Sequence, residues 1–298
     1  MHARLGKKHT HELSVEEARR QLEESAAIFA PRPRTMSRVE DRKIPGPEGL
    51  IPVRLYVPLS HRRPAAALVY FHGGGFVVGS LSSHDAPCRV LADEGRCVVI
   101  AVDYRLAPEH KFPAAVDDAV AAFRWASANA ASLGIDPARI AVGGDSAGGN
   151  LAAVIAQETR EDALRPSFQL LIYPATDFTM SAPSHRTMGS GFFLEHETML
   201  WFRDHYLHGE AEWRDPRASP LFAPDVRGVP PAFVATAGFD PLRDEGEQYA
   251  TKLRQAGVPV RYRCYPSLFH GFFSVSGGIT AARTTLVEAA AELRNHLR

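Results

Sequence analysis

The chain has 298 residues, 45% hydrophobic and 23% charged, enough to bury a large core without help from metals or disulfides. Lys plus Arg and Asp plus Glu both number 34, so charge gives no reason to expect nucleic acid or an anionic membrane surface as partner. The three cysteines, Cys88, Cys97 and Cys264, are odd in number and lack C-x-x-C spacing, which argues against a disulfide framework or a zinc site and fits a reducing, cytoplasmic compartment.

Residues 1–8 are polar with no apolar run behind them, and no stretch reaches the length of a membrane span, so neither leader nor membrane anchor is expected. Ser14 and Glu17 make a capping box for an amphipathic helix through Val15, Ala18, Leu22, Ala26 and Phe29, stopped by Pro31 and Pro33. Residues 53–57 alternate as a half-exposed strand. Residues 67–71 read as a buried strand that delivers His72 and three glycines, Gly73, Gly74 and Gly75. A further buried strand follows at 97–102, then a helix across 113–131, then an apolar run at 139–143. That run enters Gly144, Asp145, Ser146, Ala147 and Gly148, a G-x-S-x-G turn between a strand and a small-residue helix. Strands at 168–173, 232–236 and 258–265 alternate with helices at 241–256 and 280–297. Cys97 and Cys264 fall in these strand-like runs and read as small core residues.

Strands alternating with helices predict an α/β fold: a mostly parallel central sheet flanked by helices, with its site at the carboxyl ends of the strands. Residues 175–220 break the rhythm with apolar side chains between prolines and a helix near 194–207, the natural place for an inserted helical cap. The expected division is 1–37 as an N-terminal helical part of the cap, 38–174 and 221–298 as two parts of the α/β core, and 175–220 as the inserted cap.

A serine on such a turn is a nucleophile in need of a base and an orienting acid, which follow in the order Ser, Asp or Glu, His. Among the later histidines, His185, His196, His205 and His208 fall in the cap segment and His296 in the last helix. His270 lies in a loop after the last strand and is the expected base. Asp240 leaves the penultimate strand just before Pro241 and is the expected acid; Asp244, one helical turn on, is its rival. The oxyanion donors expected are the N–H groups of Gly73 and Gly74, with Gly75 a further candidate, and that of Ala147. Met199, Phe202 and Tyr206 share one face of the cap helix, either as core packing or, for Met199 and Phe202, as a wall of the acyl pocket.

The stretch His72 to Phe76, the run Val102, Asp103, Tyr104, Arg105, Leu106, Ala107, Pro108, Glu109, the turn around Ser146, the residues from Asp240 to Gly246, and His270 with Gly271 and Phe272 together resemble the hormone-sensitive-lipase-like family of bacterial carboxylesterases, in its G-D-S-A-G branch. The resemblance spans about 200 residues. It implies a cap, no cofactor and no metal, a small-molecule ester as substrate, and Ser146, Asp240 and His270 as catalytic residues. A monomer or homodimer is expected. The family's N-terminal cap usually has two helices, and one is read here. Asp103, Arg105 and Glu109 read as a buried charge network bracing the glycine loop, with His72 and Asp145 in similar roles. An amidase, lactonase or carbamate hydrolase would carry the same triad. A receptor on this fold would lack the histidine that is present at 270, and a true lipase would carry a long apolar lid.

Overall fold

The computed structural model describes residues 8–60 and 62–298, so nearly all of the polar N-terminal run lies outside the described residues. One eight-stranded sheet runs through the molecule: β1 (Met36–Gly46), β2 (Gly49–Pro58), β3 (Ala65–Phe71), β4 (Val98–Val102), β5 (Ile135–Asp145), β6 (Gln169–Ile172), β7 (Ala232–Phe239) and β8 (Val260–Phe269), in the order β1-β2-β4-β3-β5-β6-β7-β8. The β1–β2 and β2–β4 pairs are antiparallel, and the rest of the sheet is parallel.

Strand β3 shows why the sheet must be covered on both faces. All seven residues are buried; Val69 and Phe71 join one core layer, while Leu68 and Tyr70 join the other. The first layer is closed by α3 (Ala114–Ala128), α5 (Ala147–Glu158) and α8 (Arg243–Gln255). The second is closed by α2 (Asp85–Gly95) and α9 (Thr280–His296), through residues such as Leu91, Leu286 and Leu293. The helix expected across 113–131 is broken at Asn129, with a short α4 (Ala130–Leu133) beyond it. The strand at 53–57 is largely buried rather than half-exposed, because Val53, Leu55 and Val57 pack into one core layer and Tyr56 into the other. Cys97 is buried, but Cys264 is only partly so, since β8 is an edge strand.

Two segments lie over the carboxyl ends of the strands. Helix α1 (Val15–Phe29) starts at the expected capping box: Glu17 N–H donates to Ser14 Oγ at 3.2 Å and Ser14 N–H to Glu17 Oε2 at 2.9 Å. A 3-10 turn at Thr10–Glu12 precedes it. The second segment holds α6 (Ser184–Thr187) and α7 (His196–Tyr206). Both of its ends are held by one buried side chain of α5: Asn150 Nδ2 donates to Ala175 O at 2.8 Å and to Ala218 O at 2.6 Å. Among the described residues no helix is long and apolar enough to cross a membrane.

Candidate active site

Ser146 sits between β5 and α5 with φ 56° and ψ −116°, a strained conformation for a side-chain-bearing residue. The turn survives because the residues two before and two after Ser146, Gly144 and Gly148, carry no side chain: a Cβ on either would drive into the carbonyl oxygen of Phe71 on β3. Asp240 follows β7 and His270 follows β8, two adjacent strands, so the sheet itself brings their side chains to one end. His270 Nε2 lies 3.0 Å from Ser146 Oγ, and His270 Nδ1 lies 2.8 Å from Asp240 Oδ2. Asp240 is fully buried and its other oxygen accepts the Leu242 N–H at 2.8 Å. This chain can pass a proton from the hydroxyl to the imidazole and stabilise the resulting cation.

Asp244 stands outside that chain. It accepts from Ser184 N–H at 2.9 Å and from Arg243 Nε at 2.7 Å, tying α6 to the first turn of α8. His185 is likewise engaged elsewhere: its Nε2 lies 2.6 Å from buried Glu245 Oε2, and Glu245 Oε1 accepts the N–H groups of Thr176 and Asp177. Burial pushes the Glu245 carboxyl up, against the opposing pull of His185. Of the remaining histidines, His205 lies on α7 against Trp201 O, His208 pairs with Glu212 and His296 stacks on Phe168.

The glycine loop departs from the expected donor set in one respect. Gly73 N–H donates to Asp145 Oδ1 at 2.9 Å, so it is already spent on the protein. The N–H groups of Gly74 and Gly75 donate to no acceptor among the described residues, and Ala147, first residue of α5, has no intrahelical partner for its own. All three residues line the cleft with Ser146 and His270. Of the donors read from sequence, Gly73, Gly74 and Ala147, Gly73 is thus engaged by Asp145, while Gly74, Ala147 and the further candidate Gly75 present N–H groups without an acceptor among the described residues. Gly75 has φ +58°, and the Phe202 ring fills the place where its Cβ would stand.

Asp145 is the hub beneath this loop. Besides Gly73 N–H it accepts the Tyr70 hydroxyl at 2.6 Å and the Tyr173 hydroxyl at 3.4 Å, and His84 Nε2 lies 3.5 Å away. Burial disfavours its charge, but His84 and the Tyr70 hydroxyl hold its carboxyl below the usual range. His72 holds the loop through its ring, with Nδ1 2.8 Å from Gly73 O and Tyr104 stacked at 4.4 Å. Its imidazole is pushed down to about 3 by burial, with His84 beside it, and so stays neutral. The expected single network of Asp103, Arg105 and Glu109 is not formed. Arg105 grips Asp118 of α3 at 2.9 Å, and exposed Glu109 pairs with Arg19 of α1 at 2.7 Å. Asp103 accepts instead from the Leu81 N–H, beyond that loop.

The cleft encloses about 160 Å³. Both Met199 and Phe202 of α7 line it, whereas Tyr206, on the same helix face, is fully buried and stacks on Phe76 at 3.9 Å. The shared face thus splits between cleft and core. Ala18, Leu22 and Ser25 of α1 line the cleft from above. Sequence reasoning passed over Tyr173 and His84. Tyr173 has φ +35° and its ring lies 4.7 Å from that of His270, linking the imidazole to Asp145. No local motif marks either residue; only the fold brings them near.

Residues 68–274 match a family described as having the alpha/beta hydrolase fold. The chain is 47% identical over 277 residues to the carboxylic ester hydrolase LipN of Mycobacterium tuberculosis, covering 90% of this chain and 73% of that protein. It is 43% identical over 293 residues to an ethyl acetate hydrolase of Pseudomonas putida, covering 96% and 92%. EstE1, a thermophilic and thermostable carboxylesterase cloned from a metagenomic library, superposes with a TM-score of 0.92 at 43% identity, over 96% of this chain and 99% of its own. An ester hydrolase from the metagenome of Lake Arreo, solved with a bipyridine phosphonate derivative, gives a TM-score of 0.95 at 44% identity, over 99% and 94%.

Proposed function

Since this chain belongs to the hormone-sensitive-lipase-like family of α/β-hydrolases and is a carboxylic ester hydrolase, we propose that it cleaves short- to medium-chain acyl esters through Ser146, His270 and Asp240. The observation that carries this reading is the unbroken hydrogen-bond chain from Ser146 Oγ through His270 to buried Asp240, facing a cleft with idle amides on its opposite wall.

In the proposed cycle His270 Nε2 takes the proton of Ser146 Oγ as that oxygen attacks the ester carbonyl carbon. The carbonyl oxygen becomes an oxyanion and accepts hydrogen bonds from Gly74, Gly75 and Ala147. Each such donor typically lowers the barrier by ~3 kcal/mol. Collapse breaks the bond to the alcohol oxygen, which leaves with the proton from His270. Water then attacks the acyl-enzyme while His270 takes its proton, and returning that proton to Ser146 Oγ frees the carboxylic acid. Asp240 holds the imidazole tautomer throughout.

Helix α1 and residues 175–220 act as the cap, and Met199 and Phe202 form an apolar wall for the acyl chain. Both segments lining the cleft supports this assignment. The three cysteines are all free, which fits a reducing, cytoplasmic setting. Rates on nitrophenyl esters of increasing acyl length, with an anilide as amidase control, test the activity. We expect an optimum at short to medium chains, covalent labelling of Ser146 by an organophosphate, and loss of turnover by several orders of magnitude in Ser146→Ala. A label on another serine, or an anilide cleaved as fast as the esters, would overturn the reading.

A further inference from the structure

The buried carboxyl of Asp240 needs a fixed orientation. The terminal torsion of an aspartate is broad, so a contact on Oδ1 is what keeps Oδ2 facing His270 Nδ1, 2.8 Å away. That contact is the Leu242 N–H, which donates to Oδ1 at 2.8 Å. What aims this N–H comes from the segment inserted between β6 and β7. Ser184 Oγ, at the start of α6, donates to Pro241 O at 2.6 Å. Pro241 O and the Leu242 N–H belong to one peptide unit, which is trans. In a planar trans peptide the C=O and N–H point in opposite directions. Holding the Pro241 carbonyl toward Ser184 therefore turns the Leu242 N–H toward Asp240. The serine is itself firmly placed. Its Oγ accepts from Asp244 N–H at 3.2 Å, its own N–H donates to Asp244 Oδ2 at 2.9 Å, and it is fully buried. The next residue, His185, is anchored on buried Glu245. A hydroxyl suits this place because it donates and accepts at once.

We infer that Ser184 is a positioning residue for the reaction. It stands outside the lining of the cleft and acts through the Pro241–Leu242 peptide, setting the carboxyl of Asp240 against His270. A side chain of the inserted segment thus completes the orientation of the acid, and loss of its hydroxyl registers in turnover rather than in substrate binding. The inference rests on the proposed roles of Ser146, His270 and Asp240.

The test is a double-mutant cycle on a nitrophenyl ester. Ser184→Ala should lower kcat about tenfold and leave KM within about twofold. In an Asp240→Asn background the ring proton already sits on the wrong nitrogen. There the same substitution should cost less than about twofold, because the carboxyl it acts through is gone. Asp244→Asn loosens the same pair of helices without touching the Pro241 carbonyl, and should stay within about threefold of wild type. Should Ser184→Ala fail to fold, Ser184→Cys keeps the volume with a much weaker donor, and should lose kcat in the same way and be silent beside Asp240→Asn. Wild-type kcat in these Ser184 variants, a loss of about tenfold that persists beside Asp240→Asn, a loss carried by KM, or an Asp244→Asn enzyme as slow as Ser184→Ala would overturn the assignment and leave the esterase reading in place. An Asp240→Asn enzyme within about tenfold of wild type would overturn the role of Asp240 as well.

Discussion

Replacing Asp240 by Asn tests the catalytic arrangement in one step, because the structure dictates how the new amide must face. Leu242 N–H donates to Oδ1 at 2.8 Å, while His270 Nδ1 lies 2.8 Å from Oδ2. An asparagine keeps its carbonyl oxygen on the Leu242 N–H, since the reverse orientation would set two donors against each other. Its NH2 group then points at His270 Nδ1 and makes that nitrogen an acceptor. The ring proton moves to Nε2 and faces Ser146 Oγ, so the imidazole can no longer take the serine proton. Loss of tautomer control in a serine-protease triad costs about 10⁴ in kcat, or about 5 kcal/mol of barrier. We expect about 10³–10⁴ for Asp240→Asn on a nitrophenyl ester, with KM little changed. The melting temperature should hold, since the substitution keeps the shape and removes a buried charge. Asp244→Asn, which disturbs only the contacts to Ser184 and Arg243, should cost less than about tenfold in kcat. The reasoning fails if Asp240→Asn stays within about tenfold of wild type, or if Asp244→Asn is the more damaging.

Met199→Ser and Phe202→Ala should each move the acyl-length optimum to longer chains, since each further buried methylene contributes up to ~0.8 kcal/mol until the pocket ends. A uniform loss on all chain lengths with a lowered melting temperature would make both residues packing instead. Acid should destabilise the fold through His72, whose buried imidazole titrates near 3 in the folded state against 6.5 in its ordinary state. The unfolded chain binds that proton as pH falls below 6.5 and the folded chain does not, so stability is lost toward pH 3 by up to about 1.4 kcal/mol per pH unit. Urea midpoints across that range should show a shallower slope in His72→Gln; an unaltered slope would assign the effect to another group.

The parallel core was legible because its central strands β3 and β4 are short, fully apolar runs. What sequence missed lies where that signal fades. Strand β1 is an edge strand with Ile44 its only buried residue, so charged side chains hide its period. Helix α2 gains no N-cap hydrogen bond from His84, and so lacks the capping signal that marks α1. Ser146, Asp240 and His270 stood out because each immediately follows a readable strand. The donor set did not, because three consecutive glycines look alike until Asp145 is seen to claim Gly73. Tyr173 and His84 come from separate parts of the chain and acquire meaning only when the fold brings both to Asp145.

The single side chain of Asn150, one turn of helix beyond Ser146, closes the path from Ala175 to Ala218 like a clasp. Everything between those two points leaves and rejoins the molecule at nearly one place, and the entropic cost of closing such an excursion rises only slowly with its length. The intervening chain is thus an exchangeable cassette: its helices can be lengthened, shortened or replaced by those of a relative without re-registering any strand. A graft cut at 175 and 218 should carry its donor's preference among substrates into this scaffold, whereas cuts made outside those two points would exchange the carbonyls that Asn150 holds.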